Sequence, residues 1–546
     1  SLSLGRASPE SLASGVFRTG ASELAQGSQV RFLRDGKTAT VAFYQQESIG
    51  IISTNGKPDA SLQLSAEQPA PEDEITMLMA AALPLALHPD ARRVGIIGWG
   101  SGLTTHTVLG SPVPEVVDSV EIERAMYDGA MLYGDRVARA YRDPRSRLHI
   151  DDARTYFSAG KKKYDVIVSE PSNPWVSGVA SLFTRQFYRF LAGHLDQDGL
   201  LVQWVQTYEL NDRLLGTILS AIVSEFPHID AYITNQGDVL LVASREPIPR
   251  LDKAWPEPSP LQDELSRVGL THRGDYLLRR VGGRDLLDTL VRLNGATPHD
   301  DFHPTVSLQA PRSRFKGEAS WQLLTLVSSG LPVLEMTDGR LPPPALPAIT
   351  PVLTSDLVDL HRQALLVREV LRQGPDDELR RVNPEFSASI DRLAQLSAAP
   401  LEGEDLVAWL DIVSALAEAS LAHLPAADHA GVWIDPAWID TSIQPAAVAQ
   451  VLEAYAESAR RNPAGMRRAA LAALEALGPD APLGTREHML VIAMLGAIGM
   501  NDASGALAID RTQGRTVEVS AASSYGLQRA YLLAWIDRAT AAPTSP

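Results

Sequence analysis

The chain has 546 residues, 45% of them hydrophobic and 21% charged, and a formal net charge of −17. That length fits two or three domains with full cores, and the acidic balance argues against nucleic acid or an anionic membrane surface as a partner. With no cysteine in the sequence, disulfides, thiolate metal sites and cysteine nucleophiles are excluded.

Residues 1–28 are small and polar and are expected to be poorly ordered at the start. From Gln29 to Pro58 the pattern alternates, with hairpin turn signals at Asp35-Gly36 and Asn55-Gly56, so a small antiparallel sheet is expected. Pro69 to Asp73 leads into a helix from about Glu74 to Leu87. The apolar run Ile75 to Leu87 has 13 residues and includes Pro84, too short to span a bilayer. The first residues do not form a signal peptide. The sequence opens on Ser1 rather than methionine, so a neighbouring segment beyond it, a membrane segment included, is compatible with it.

Arg93 to Gly102 organises the central part of the chain. Val94 to Ile97 reads as a buried parallel strand that breaks into Gly98, Gly100 and Gly102, then a helix from about Leu103 to Leu109. Glycine lets the backbone turn sharply and admits a ligand closely, and the helix would aim its first amides at it. Such turns also serve NAD, FAD and phosphate sites, and some bind nothing. A second strand, Val116 to Val120, ends in Glu121-Ile122-Glu123, with Glu121 lying 23 residues after Gly98. A nucleotide-binding α/β fold places its ribose acid close to that spacing. Leu148 to Ile150 ends in Asp151-Asp152, and Tyr164 to Val168 ends in Ser169-Glu170. Three strands therefore each deliver a carboxylate to the sheet edge where ligands of open α/β folds bind. Any one of these acids could equally cap the next helix.

Strands and helices then alternate to about residue 245, as in a doubly wound sheet. Phe183 to Leu195 reads as an amphipathic helix, Leu200 to Val205 as a fifth strand and Asn211 to Phe226 as a helix. Ile229 to Thr234 and Val239 to Ser244 form a closing antiparallel hairpin, which a methyltransferase-like fold has and a plain NAD fold lacks. A helix is expected near Asp285 to Leu293. Thr297-Pro-His-Asp-Asp-Phe-His-Pro304 gathers two histidines and two aspartates, but a proline-flanked loop fits better than a metal centre, and no metal is expected. Residues 331–351 are proline-rich and read as a linker or wrapping segment. Beyond about 352 the periodicity is helical, over Asp356 to Leu371, Asp405 to Leu421, Ala446 to Arg460 and Gly465 to Leu477. Paired hairpins of solenoid type are expected there, without a fixed repeat. The expected domains are residues 1–90, β-rich; 91–330, catalytic; 331–351, a linker; and 352–546, helical.

Residues of about 30–245 resemble the spermidine synthases, the polyamine aminopropyltransferases, and within them the divergent branch often fused to membrane segments. The resemblance rests on Tyr44-Gln45, Asn55-Gly56, Leu83-Pro84-Leu85 with His88-Pro89, the turn Gly98 to Gly102, Val120-Glu-Ile-Glu123, Asp151-Asp-Ala153, Tyr164-Asp-Val-Ile-Val-Ser-Glu-Pro-Ser-Asn-Pro-Trp175 and Phe183-Thr-Arg-Gln-Phe-Tyr188. It covers about 40% of the chain. It implies a class I methyltransferase-like (Rossmann-like) α/β sheet with an N-terminal antiparallel β subdomain; the C-terminal all-α domain lies outside it. It implies decarboxylated S-adenosylmethionine or S-adenosylmethionine as co-substrate and a small-molecule amine as acceptor. Glu121 would hold the ribose hydroxyls, Asp152 with Ala153 the adenine, and Gln45 the cofactor. Gly98, Gly100 and Gly102 would line its aminopropyl or amino-acid end. By analogy a homodimer is expected, in a cytoplasmic protein or the soluble part of a membrane-associated one.

Departures from the family pattern fall on the acceptor side. Ser101 stands where the family has an aspartate. Glu170-Pro-Ser-Asn-Pro174 replaces Asp-Ser-Ser-Asp-Pro, so Glu170 keeps a catalytic carboxylate while Asn173 loses a charge. Thr76-Met77 stands in place of a Tyr-Gln pair. A polyamine needs carboxylates spaced along its chain, and two are missing from the motifs. Three functions are compatible with these residues: aminopropyl transfer with Glu170 as base, methyl transfer, for which Asn173-Pro174-Trp175 is a loose echo of a family motif, and a non-catalytic nucleotide-binding module. The orientation of Glu170 separates them.

Overall fold

The computed structural model describes residues 8–15, 23–160, 162–251, 259–339, 356–478, 480–515, 517 and 524–541. The described residues form two compact units. One runs to residue 280 and adds 296–320; the other takes 281–295, 321–339 and the residues from 356 on. Of the expected linker, residues 340–351 lie outside the described residues, as do 1–7 and 16–22 of the N-terminal stretch. Among the described residues no helix is long and apolar enough to cross a membrane.

The first unit opens with an antiparallel meander of β1 (Gln29–Asp35), β2 (Thr40–Gln46), β3 (Ile49–Thr54) and β4 (Lys57–Gln63), paired in that order. Asn55 and Gly56 both have positive φ, 50° and 76°, the geometry a two-residue hairpin turn requires. One step into β4, Ser53 faces Pro58 while Ile52 faces Ala60. Asp59 is therefore the extra residue of a β-bulge, a device that re-aims a side chain.

The larger sheet contains β5 (Arg93–Ile97), β6 (Val116–Glu121), β7 (Ser146–Ile150), β8 (Tyr164–Ser169), β9 (Leu195–Gln206), β10 (His228–Ile233) and β11 (Asp238–Ser244), in the order β10-β11-β9-β8-β5-β6-β7. Strands β5 to β9 pair in parallel. β11 runs antiparallel between β9 and β10. This order, with its reversed hairpin, is that of a class I methyltransferase-like sheet. The chain order reverses at β5, between β6 and β8, which is where open α/β sheets leave a crevice at their carboxyl ends. The helix Glu72–Leu87 packs across β8, β9 and β11. It is buried almost all round, which explains why its sequence is a run and not a stripe. Phe183 to Leu195 resolves into a 3₁₀ turn, Val179–Phe183, and a helix, Arg185–Ala192, N-capped by Thr184.

The second unit is helical. Ala446–Ala459, Pro463–Leu477 and Leu483–Gly499 pack in sequence, but Leu483–Gly499 also touches Gly403–Glu418, Ala503–Gln513 and Ser524–Thr540. A solenoid repeat contacts only its neighbours, so the expected solenoid gives way to helices gathered around a central one. Within it the neutral, fully buried His488 bridges Tyr455 Oη at 2.8 Å and Tyr525 Oη at 2.6 Å, and Tyr525 donates on to Glu418 at 2.6 Å. Burial pushes the His488 imidazole down to about 3.

Gly98 has a φ of 95°, and a Cβ there would stand 2.3 Å from the Glu170 carbonyl oxygen. Gly98→Ala is expected to destabilise the first unit by about 1–3 kcal/mol. An unchanged urea midpoint would show that the two strand ends can part without cost.

Candidate active site

The carboxyl ends of β5, β6 and β8 open into a cavity of about 340 Å³ whose other walls come from β3–β4, the start of the helix Glu72–Leu87 and the hairpin residue Asp238. Three features hold the mouth together. Gly98 N–H donates to the Val120 carbonyl at 2.9 Å. Trp99 N–H donates to Glu121 Oε2 at 2.8 Å. Glu123 N–H donates to Glu121 Oε1 at 2.7 Å. Glu121, 8% exposed, thus spends one lone pair of each oxygen on the turn and keeps others for a ligand. Burial pushes its carboxyl up to about 7 against those amide bonds.

The neighbouring acids divide their work. Glu123 caps the next helix through Ala125 N–H and also accepts from Thr38 N–H and Oγ1. Asp152 caps the helix Ala153–Ser158 through Thr155 N–H, yet Asp152 and Ala153 also line the cavity. Capping a helix and lining the cavity are therefore compatible at one residue. Gly98 and Gly100 line it as well.

Glu170 comes just after β8 and lines the cavity. Its N–H continues the ladder to the Ile97 carbonyl at 2.9 Å. Among the described residues no arginine pairs with it. Burial pushes its carboxyl up to about 7, Thr104 opposes the shift by hydrogen bonding, and the charge of Asp238 adds to it. Asn173 is fully buried, beneath the wall and not in it. Its Nδ2 lies 3.4 Å from the oxygen of Tyr208, a wall residue. Gln45 and Gly102 also fall outside the walls. The Gln45 amide donates to the Glu47 carbonyl at 2.8 Å within its own turn, and Gly102 is the N-cap behind the Trp99 ring.

Two carboxylates in the walls were invisible to motif reading. Asp238 Oδ2 accepts from Thr76 Oγ1 and Asn235 Nδ2, each at 2.9 Å, and Oδ1 accepts from Trp204 Nε1 at 3.0 Å. Asp73 lies in the first turn of the helix Glu72–Leu87. Burial raises both carboxyls, and the charge of Asp238 raises Asp73 further. The acid side of the pocket is therefore not depleted as the motifs imply; its carboxylates come from other positions, and Thr76 supports one of them. In sequence each looked like a cap or turn residue. Ser101 points away, donating to Met77 Sδ at 3.2 Å.

The histidine-rich loop is used locally. His299 is buried with Nε2 3.0 Å from the Ala180 carbonyl, Asp301 pairs with Arg154, and Asp300 accepts from Phe302 and His303 N–H. Among the described residues no three His, Asp or Glu side chains are grouped to hold a metal ion.

With this geometry in view, residues 74–236 match the Spermine/spermidine synthase domain. Over these residues the chain is similar to spermidine and spermine synthases. A polyamine aminopropyltransferase of Leptospira biflexa is 30% identical over 156 residues, 29% of this chain and 55% of that protein. One from Caldicellulosiruptor bescii is 26% identical over 198 residues, 36% of this chain and 71% of that protein. The chain spans about half the length of the first of these curated relatives. Among solved structures, spermidine synthase from Thermotoga maritima matches at 20% identity with a TM-score of 0.34, covering 44% of this chain and 88% of its own. Human methyltransferase-like protein 13 in complex with SAH matches at 18% identity and 0.27, over 37% and 90%.

The synthase-like domain carries a pH signature. Burial raises the Glu121 and Glu170 carboxyls to about 7 in the folded protein, whereas in the unfolded chain they titrate near the ordinary carboxyl range. The folded state then binds more protons in that window, so these two groups make stability fall as pH rises from about 5 to about 8. Glu170→Gln removes its share of the slope, and its melting temperature is expected to gain on wild type across that range. Parallel curves would mean that Glu170 ionises freely in the native state.

Proposed function

We propose that the first unit transfers an aminopropyl group from decarboxylated S-adenosylmethionine to an amine. The observation that carries this reading is Glu170, a carboxylate with no cationic partner among the described residues, in a cavity whose walls hold Asp73 and Asp238 but only Lys57 as a cation. A base whose pKa lies near the working pH suits proton removal from an ammonium, which is otherwise mostly protonated. The freed nitrogen lone pair attacks the aminopropyl carbon next to the sulfonium. The carbon–sulfur bond breaks, its electron pair stays on sulfur to give methylthioadenosine, and Glu170 takes the amine proton. The sulfonium is already electrophilic, so alignment supplies most of what remains. In this reading Glu121 receives the ribose, Asp152 and Ala153 the adenine, and Gly98 and Gly100 the sulfonium arm. Asn173 is a positioning residue that acts through Tyr208. Methyl transfer from S-adenosylmethionine is the second reading, favoured by the cation Lys57 in the same walls. A Glu170 that lines the cavity with no arginine paired to it among the described residues argues against a purely non-catalytic module.

Calorimetry with the full chain should register methylthioadenosine and decarboxylated S-adenosylmethionine, with Asp152→Ala abolishing both. Glu170→Gln is expected to leave nucleoside binding in place while lowering turnover by ~10²–10⁴-fold. Folded protein that ignores every adenosyl ligand would end this reading.

A further inference from the structure

Lys57 and Asp59 stand in the cavity wall as an unfinished pair. Lys57 is 6% exposed. Its Nζ donates to Asp59 Oδ1 at 3.0 Å, and Asp59 is its one hydrogen-bond partner among the described residues. The Trp175 ring centroid lies 5.9 Å from Nζ. Ser172 Oγ also donates to Asp59 Oδ1, at 3.0 Å. The second oxygen, Oδ2, is buried and has no partner among the described residues, although the side chain is only 9% exposed. A buried ammonium with unused N–H groups beside a buried carboxylate oxygen with none is costly unless something completes it.

The fold builds this arrangement deliberately. Asp59 is the extra residue of the β4 bulge, so its side chain is turned by the irregularity and not by strand alternation. Ser172, two residues past Glu170, ties it to the reactive end of β8. Lys57 is close enough to lower the carboxyls of Asp73 and Asp238, and Asp59 close enough to raise that of Glu121. The pair thus stands between the nucleoside end and the acidic end of the same cavity.

We infer that Lys57 and Asp59 form a subsite for an α-amino-acid group, with Lys57 Nζ taking its carboxylate and Asp59 Oδ2 its ammonium. In such a group the two charges are adjacent, so four charges alternate in a closed ring and every orphan atom gains a partner. A plain diamine would leave Lys57 facing another cation. The amino-acid group has two sources, the methionyl tail of S-adenosylmethionine or an amino-acid acceptor. The subsite rests on the reading that the cavity takes an adenosyl ligand, and the test separates the two.

The full chain is titrated with S-adenosylhomocysteine and methylthioadenosine, thioethers that differ in the amino-acid tail. It is also titrated, with methylthioadenosine saturating, with L-ornithine and putrescine, which differ by the carboxylate. At least about tenfold tighter binding of the carboxylate-bearing member of one pair is expected, since charge-assisted bonds are worth that much. The preference should collapse in Lys57→Met and Asp59→Asn and return in Lys57→Arg, with circular dichroism confirming the fold. Preference in the first pair assigns the group to the donor and moves the reaction to methyl transfer; preference in the second assigns it to the acceptor. No preference in either pair, or one that survives Lys57→Met, overturns the subsite. A Lys57-dependent preference for ornithine in protein that binds no nucleoside keeps the subsite and overturns the adenosyl reading.

Discussion

The contact between Gly98 and the Glu170 carbonyl fixes the geometry of the whole cavity. At 2.3 Å from a hypothetical Cβ to that oxygen, no other residue fits without parting β5 from β8. The same turn donates from Gly98 to β6 and from Trp99 to Glu121. The ends of three strands are thereby positioned by backbone approach. The acids they carry inherit their spacing from a turn that cannot accept a side chain at Gly98.

That rigidity has an electrostatic counterpart. Asp73, Glu121, Glu170 and Asp238 are all pushed toward their protonated forms, chiefly by burial. Hydrogen bonds from Thr76, Asn235, Trp204 and backbone amides offset part of this, and among the described residues Lys57 is the only cation in the walls. Keeping these carboxyls ionised inside the cavity is costly, and each shift reports that cost. Sites built for catalysis commonly give up stability in this way.

The sheet was legible because its strands are short apolar runs that stop at glycine or an acid, and the hairpin Asn55-Gly56 because only certain residues tolerate positive φ. The presence of Glu121, Asp152 and Glu170 in the cavity walls was legible because they come after strands at the sheet's carboxyl edge. Asp73, Asp238, Lys57 and Asp59 were not, because three elements far apart in sequence bring them together and each looks locally like a cap or turn residue. Gln45 is the opposite case, a motif residue that lies outside the cavity walls. A motif preserves residue identity, but a local bond to Glu47 decides where the amide goes. The helical unit was read from amphipathic stripes, which find outer helices best. Leu483–Gly499, apolar on nearly every side, leaves no stripe, so the central helix went unrecognised and a solenoid took its place.

The central helix also sets how the second unit can be made. Leu483–Gly499 is surrounded by helices that precede it, such as Gly403–Glu418, and by Ser524–Thr540, which comes after it. During synthesis its apolar faces emerge before Ser524–Thr540 exists to cover them. Closure of this core must wait for Ser524–Thr540 to leave the ribosome, and until then the chain exposes a surface suited to chaperones. A solenoid could have folded repeat by repeat behind the ribosome; this unit has to fold nearly at once.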